Sequence, residues 1–336
     1  MSYDVITIGD AMQDIFIFPD IEEMERPVSD KKVDAREHFD KFLVFGLGDK
    51  ITISDVGYSI GGTAANVAIG LKKLGFKTSL ISAIGGDSAG EAIVARLKEN
   101  KIGTEGIKTY RAKKSSFSVI VSYKGERTIF VYHSFLPQNF SLPEKLSASW
   151  LYLGPMAKGY ESLYNKITAL MVKNNLQLAI NPGAVQIDAG LESFGGLREL
   201  IDVIFLNRQE AQKLVGLPGV PEVKDVAKVI QLRGPQIVSI TDGKEGAYVY
   251  DGEDFFKVGS FQGHRLDATG AGDAFASGFL ANLMMGNDLR DCLKWGVVNS
   301  ASVIEKIGAQ EGLLSRNLIK RRVKEYRWPA DTLRFS

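Results

Sequence analysis

Apolar and polar positions change rhythm three times along the chain. Val5-Ile-Thr-Ile8 is a short apolar run that stops at Gly9-Asp10, as a strand buried on both faces does, and Ile15-Phe-Ile-Phe18 resumes an extended apolar run. From Lys50 to Ile60 the pattern alternates in part, as in a half-buried strand, and delivers the chain to Gly61-Gly62. Thr63 to Gly75 then reads as a helix of small residues closed by a glycine, and Lys77 to Gly90 as a strand, a glycine turn and a further helix. Ser115 to Val131 predicts a β-hairpin turning at Lys124-Gly-Glu-Arg127. Beyond Trp150 the rhythm is regular. Apolar strands at Leu151–Leu153, Leu178–Ile180, Val203–Leu206 and Ile237–Ile240 alternate with helices expected from about Glu161, near Leu197 and from Arg208. Such repetition predicts an α/β fold with a parallel sheet, helices on both faces and ligands gathered at the carboxyl ends of the strands.

The composition changes this picture little. With 336 residues, 45% hydrophobic and 24% charged, the chain has material for one large domain or two modest ones. A net charge of +1 argues against an electrostatic nucleic-acid binder, and the basic run Lys320, Arg321, Arg322, Lys324 and Arg327 reads as the solvated face of a C-terminal helix. The single Cys292 excludes an intramolecular disulfide, and His38, His133 and His264 have no zinc-site spacing. The start, Met-Ser-Tyr-Asp, has no basic leader or long apolar stretch, so a cytoplasmic protein without a membrane partner is expected. Residues 20–42, dense in charge, read as a partly helical surface insertion.

The chemistry is expected at Asp267-Ala-Thr269-Gly270-Ala271-Gly272-Asp273, just before the apolar run Ala274–Met285. Gly270, Ala271 and Gly272 leave backbone N–H groups uncovered at a helix start, which makes an anion site. A carboxylate at Asp273 would sit beside it and could take a proton from a hydroxyl attacking a phosphate. Taken alone, the four residues Gly-Ala-Gly-Asp fit a capped helix start equally well.

The whole string Asp-Ala-Thr-Gly-Ala-Gly-Asp-Ala-Phe resembles the second signature of the ribokinase-like, phosphofructokinase-B-type family of carbohydrate and nucleoside kinases. Gly61-Gly62-Thr63-Ala-Ala-Asn66 resembles its first signature, with Thr63 where ribokinases tend to carry Lys, a departure that weakens ribose as the acceptor. Asn207-Arg-Gln-Glu210 resembles the family's Asn-x-x-Glu motif, although the residues by themselves favour a helix cap. Thr241-Asp-Gly243-Lys-Glu-Gly246 resembles its nucleotide loop. The match runs from Gly9 to about Gly312.

The resemblance implies a single three-layer, ribokinase-like domain over residues 1–336, with a small β-sheet lid built from segments within about 12–19, 44–60 and 112–135. It implies an ATP- and magnesium-dependent phosphotransferase acting on a hydroxyl of a sugar or sugar-like acceptor. Asp273 would be the general base, with Gly270, Ala271 and Gly272 as the anion hole. Asp14, Gly61, Gly62 and Asn66 would hold the acceptor. Asn207, Glu210, Thr241, Gly243, Gly246 and Asn299 would serve the nucleotide, Glu210 reaching Mg2+ through water. Asp267 and Thr269 would form one wall of a monovalent-cation site for K+, with Gly312 where relatives often place a Ser ligand. Lid sheets of relatives often pair, which implies a homodimer. An adenosine or other nucleoside kinase uses the same machinery, and a catalytically silent binding relative is the reading from another class. No P-loop sequence occurs, and the first strand's turn lacks dinucleotide-type glycines.

Overall fold

A computed structural model describes residues 2–19, 25–27, 41–43, 46–123, 126–144, 146–216, 222–261, 266–326, 328 and 334–335. Its centre is a ten-stranded sheet. Seven strands run parallel, in the spatial order β7 (Ile107–Tyr110), β6 (Thr78–Gly85), β1 (Val5–Ile8), β10 (Trp150–Leu153), β11 (Gln177–Ile180), β12 (Val203–Asn207) and β13 (Ile237–Thr241). The sheet continues antiparallel through β14 (Ala247–Tyr250), β15 (Phe255–Val258) and β16 (Arg334–Phe335).

The parallel strands are apolar on both faces because both are covered. Alternate residues go to opposite layers: Ile6, Leu151, Leu153, Ile204 and Leu206 to one, Val5, Trp150, Tyr152, Val203 and Phe205 to the other. Helices α3 (Glu161–Asn174), α4 (Ala184–Ala189), α5 (Arg208–Val215) and α6 (Val223–Leu232) cover the first face. The second is covered by α1 (Thr63–Lys73), α2 (Ser88–Glu99), α7 (Ala271–Met284), α8 (Leu289–Ile304) and α9 (Arg316–Glu325). The helix α7 is buried continuously from Ala274 to Asn282, which is why it carries so little polar sequence.

A second sheet stands apart, in the order β5 (Ile53–Gly61), β2 (Met12–Pro19), β8 (Phe117–Tyr123) and β9 (Glu126–Tyr132). This is the lid. β2 pairs antiparallel with β5 and parallel with β8, so the sheet is mixed. The lid joins the body through the Gly9–Ala11 turn and through Gly61-Gly62, where β5 runs into α1. The 20–42 insertion lies largely outside the described residues, apart from the short antiparallel pair β3 (Glu25–Pro27) and β4 (Lys41–Leu43). No helix near Leu197 forms. Residues Leu191–Leu200 make 3-10 turns, because Gly195 at φ 56° breaks the helical path. Among the described residues no helix is long and apolar enough to cross a membrane.

Candidate active site

The carboxyl end of β13 and the first turn of α7 line one cavity, and the turn after β1 packs against the start of α1, whose Asn66 reaches the same turn of α7. Gly270 caps that helix at φ 74°, and a side chain there would run into Ala309. The Ala271 N–H closes onto the Ala268 carbonyl at 3.3 Å. That bond occupies the Ala271 N–H, while the neighbouring N–H groups of Gly272 and Asp273 have no carbonyl one turn back. Gly272 faces open space: a Cβ there would meet nothing within 4 Å.

Asp273 is half-buried in this turn. Asn66, in α1, donates from Nδ2 to its Oδ2 at 2.7 Å, and Thr63 also hydrogen-bonds to it. Burial pushes the Asp273 carboxyl above the ordinary value, against the lowering effect of those two bonds and of the Arg127 charge.

Asp14, on β2, is 5% exposed and accepts the Ser118 hydroxyl of β8 at 2.5 Å. Desolvation raises its pKa to about 6, opposed by the Ser118 bond and reinforced by the negative charges of Asp273 and Asp267. Gly61 makes this placement possible, because a side chain there would overlap the Asp14 carboxylate. Gly62, at φ 93°, likewise lies against the Asp10 carbonyl. Asp14, Gly61, Gly62, Asn66 and Asp273 thus converge on one corner.

On the other side of the α7 turn, Thr241, Gly243 and Gly246 line a cavity of about 150 Å³ together with Phe261, Gly272, Phe275, Ser300, Ala301 and Ile304. Asn207 and Glu210 form a reciprocal capping box on α5, each bond 2.8 Å long. The cap reading is thus realised, and it commits one Glu210 oxygen. Burial raises the Glu210 carboxyl above its usual range. Asp267 Oδ1 accepts the Thr269 N–H at 2.9 Å and hydroxyl at 2.7 Å, and Oδ2 accepts the Gly308 N–H at 3.0 Å. These bonds staple the turn before α7 to the loop after α8. At Gly312 a side chain would strike the Ser302 carbonyl, so no Ser ligand fits there.

Asn299 requires a correction. Its side chain does not reach the cavity lined by Thr241, Gly243 and Gly246. Fully buried in α8, it donates from Nδ2 to the Ala274 carbonyl at 2.8 Å and to Ser277 Oγ at 3.2 Å, and it accepts the Leu314 N–H at 3.0 Å. Its α8 neighbours Val297, Ser300, Ala301 and Ile304 face the cavity instead. Asn299→Leu is expected to cost about 2 kcal/mol of stability by chemical denaturation, because it strands the buried Leu314 N–H, whereas Ser277 Oγ and the Ala274 carbonyl keep their mutual bond. The KM for nucleotide is expected to stay within about twofold.

Four side chains of the site carry no local signal in the sequence. His133, just after β9, bonds through Nδ1 to Asp10 Oδ2 at 2.7 Å, and this bond raises its pKa. Arg127, on the same lid strand, reaches within 4.0 Å of Asp267. Ser118 orients Asp14, and Gln310 donates to Asn66.

Residues 28–316 match the model of the pfkB family of carbohydrate kinases. A ribokinase from Lactococcus lactis is 27% identical over 83% of this chain and 90% of its own length. A cytidine kinase from Thermococcus kodakarensis is 27% identical over 79% of this chain and 93% of its own. The structure of Arabidopsis thaliana ribokinase complexed with ribose and ATP superimposes with a TM-score of 0.76 at 18% identity, covering 97% of this chain and 100% of that one. The two signature turns, the lid and the family match agree, and the chain belongs to the pfkB family of carbohydrate kinases.

Proposed function

We propose that the protein transfers the γ-phosphoryl group of ATP to a hydroxyl of a sugar or sugar-like acceptor, with Asp273 as general base. The observation that carries this reading is the position of Asp273. It lies within the first turn of α7, beside backbone N–H groups that have no carbonyl one turn back, and its carboxylate is held by Asn66 at Oδ2 and by Thr63. Asp14 and Asn66 would hold the other acceptor hydroxyls, and the lid would exclude water. The Asp273 carboxylate would receive the proton while N–H groups of the first turn of α7 stabilise charge on the transferred group.

The cavity between the 241–246 turn and α8 would take part of a nucleotide, with glycines on one wall and the first turn of α7 at its end, the remainder lying outside it. Glu210 retains one oxygen, which suits magnesium held mainly through phosphates and water. MgATP, when bound, supplies the phosphoryl group and the cation that neutralises its charge. A potassium ion beside Asp267 and Thr269 would draw on backbone carbonyls, since the Asp267 oxygens already accept three donors.

The test is ATP consumption across ribose, fructose, fructose phosphates, ketodeoxy sugar acids, adenosine, inosine and cytidine. One strong sugar-type acceptor supports the proposal. A nucleoside as sole acceptor replaces it with the nucleoside reading, and silence with ATP still bound by calorimetry points to a binding-only relative. Exposed apolar residues on the lid, Tyr58 at 67% and Phe130 at 59%, support pairing of two lids into a homodimer. A strict monomer by sedimentation would remove that element.

The pKa of Asp14 gives a pH prediction. The acceptor KM is expected to fall as pH rises through about 6, where Asp14 becomes the charged acceptor of substrate hydroxyls. Stability runs the other way. The folded value lies above the ordinary 3.8, so ionisation lowers stability progressively from about pH 4 and fully above about pH 6. Asp14→Asn is expected to melt higher than the native protein at pH 8, by up to roughly 3 kcal/mol, with no gain at pH 4. Equal melting of the two proteins at pH 8 would contradict it.

A further inference from the structure

A hydrogen-bond line runs from the rim of α2 to the catalytic turn. Arg96 Nε donates to Gln310 Oε1 at 3.2 Å, and Gln310 Nε2 donates to Asn66 Oδ1 at 2.9 Å and to the Ile60 carbonyl at 2.6 Å. Asn66 Nδ2 then donates to Asp273 Oδ2 at 2.7 Å. Gln310 and Asn66 are 3% and 4% exposed. We infer that Gln310 is a positioning residue for phosphoryl transfer, which with Arg96 locks the Asn66 amide in the orientation that presents a donor to Asp273.

The argument rests on which groups can only give and which can only take. A carboxamide can be turned end for end at little steric cost, so neither Asn66 nor Gln310 is oriented by shape alone. A guanidinium has no acceptor, and an ionised carboxylate has no donor. With Arg96 at one end and Asp273 at the other, both amides between them have one satisfied orientation, and reversing either would set donor against donor or acceptor against acceptor. The line is also held in place. Arg96 is bridged to Glu311 at 2.7 Å and to Glu99 at 3.1 Å, and Lys73 Nζ donates to the Gln310 backbone carbonyl at 3.2 Å. Gln310 is not placed among the residues that hold acceptor or nucleotide, so its effect would pass through Asn66.

The inference rests on Asp273 as the base. The groups facing Asp273 are Asn66 and Thr63 from α1, Asp14 from β2, Arg127 from β9 and the Tyr152 hydroxyl from β10. Of these, Asn66 is the one coupled to Gln310.

The test is Gln310→Glu. A glutamate accepts from Arg96 but cannot donate to Asn66, so the Asn66 amide is expected to turn and remove its donor from Asp273. The expected result is a fall in kcat of about tenfold, with the acid limb of its pH profile moved about 0.5–1 unit higher. The ¹³C titration of the Asp273 carboxyl in the resting protein is expected to move with it. In an Asn66→Ala background the same substitution is expected to add no shift, since the pair acts as a unit. A folded Gln310→Glu protein whose Asp273 titration is unchanged overturns the inference, whatever kcat does. If that variant fails to fold, Gln310→Met, which removes the donor to Asn66 without adding a charge, is read in the same way, with a smaller shift in the same direction expected and none overturning the line. The NMR titration needs no turnover, so a failure of the base assignment, seen as activity retained by Asp273→Asn, is distinguishable from failure of the relay.

Discussion

Asp273→Asn is expected to lower kcat by about 10³-fold, within the range that a positioned base contributes. The substitution keeps size and shape. Asn66 can still donate from Nδ2 to the new amide oxygen, because its own Oδ1 is occupied by Gln310. What is lost is the proton acceptor alone. ATP binding by calorimetry is expected to stay within a few-fold, since the Gly272 and Asp273 backbone donors are untouched. Thermal stability is expected to rise modestly, because an ionised carboxylate is replaced where burial already disfavours its charge. Near-native turnover in this variant would remove Asp273 as the base.

Gly61→Ala is expected to raise the acceptor KM by about 100-fold through a single methyl group, the scale of a lost charge-assisted contact. The new Cβ would occupy the volume of the Asp14 carboxylate. Asp14 has nowhere to go without giving up Ser118, and Gly61 is fixed as the last residue of β5 opposite Met12. Gly57→Ala in the same strand is the control. There the new Cβ meets Phe16 at 3.6 Å, an ordinary contact, and the KM is expected to remain near native. Equal behaviour of the two variants would show that Asp14 does not hold the acceptor.

The parts of the site that could be read from the sequence are those in which chemistry and local structure coincide. The 267–273 string is a turn, a helix start and a carboxylate in seven residues, and the apolar strands before Asn207 and Thr241 announce themselves by their buried run. Glu210 is readable in two ways, and its capping box is a local feature four residues long. Contacts made across the fold left no such trace. His133 and Asp10 are 123 residues apart, and Gln310 is 244 residues from Asn66, so no spacing rule could pair them. Asn299 shows the opposite failure. Likeness fixed its position on α8, but packing against Ala274 and Leu314 decided where its amide turned. Near Leu197 the apolar spacing suggested a helix, and Gly195 overrode it.

The earliest strand of the described chain is not at an edge of the central sheet. Val5–Ile8 lies between Thr78–Ile81 and Trp150–Leu153, hydrogen-bonded to both. During translation this apolar segment must wait, with one side unpaired, until Trp150–Leu153 has been made. Pairings of such long sequence separation form slowly and leave nascent chains open to misassociation. A message truncated before the codon for Trp150 therefore encodes a product with an open sheet edge and no partner to close it. Such fragments are natural clients for chaperones rather than smaller working versions of the enzyme.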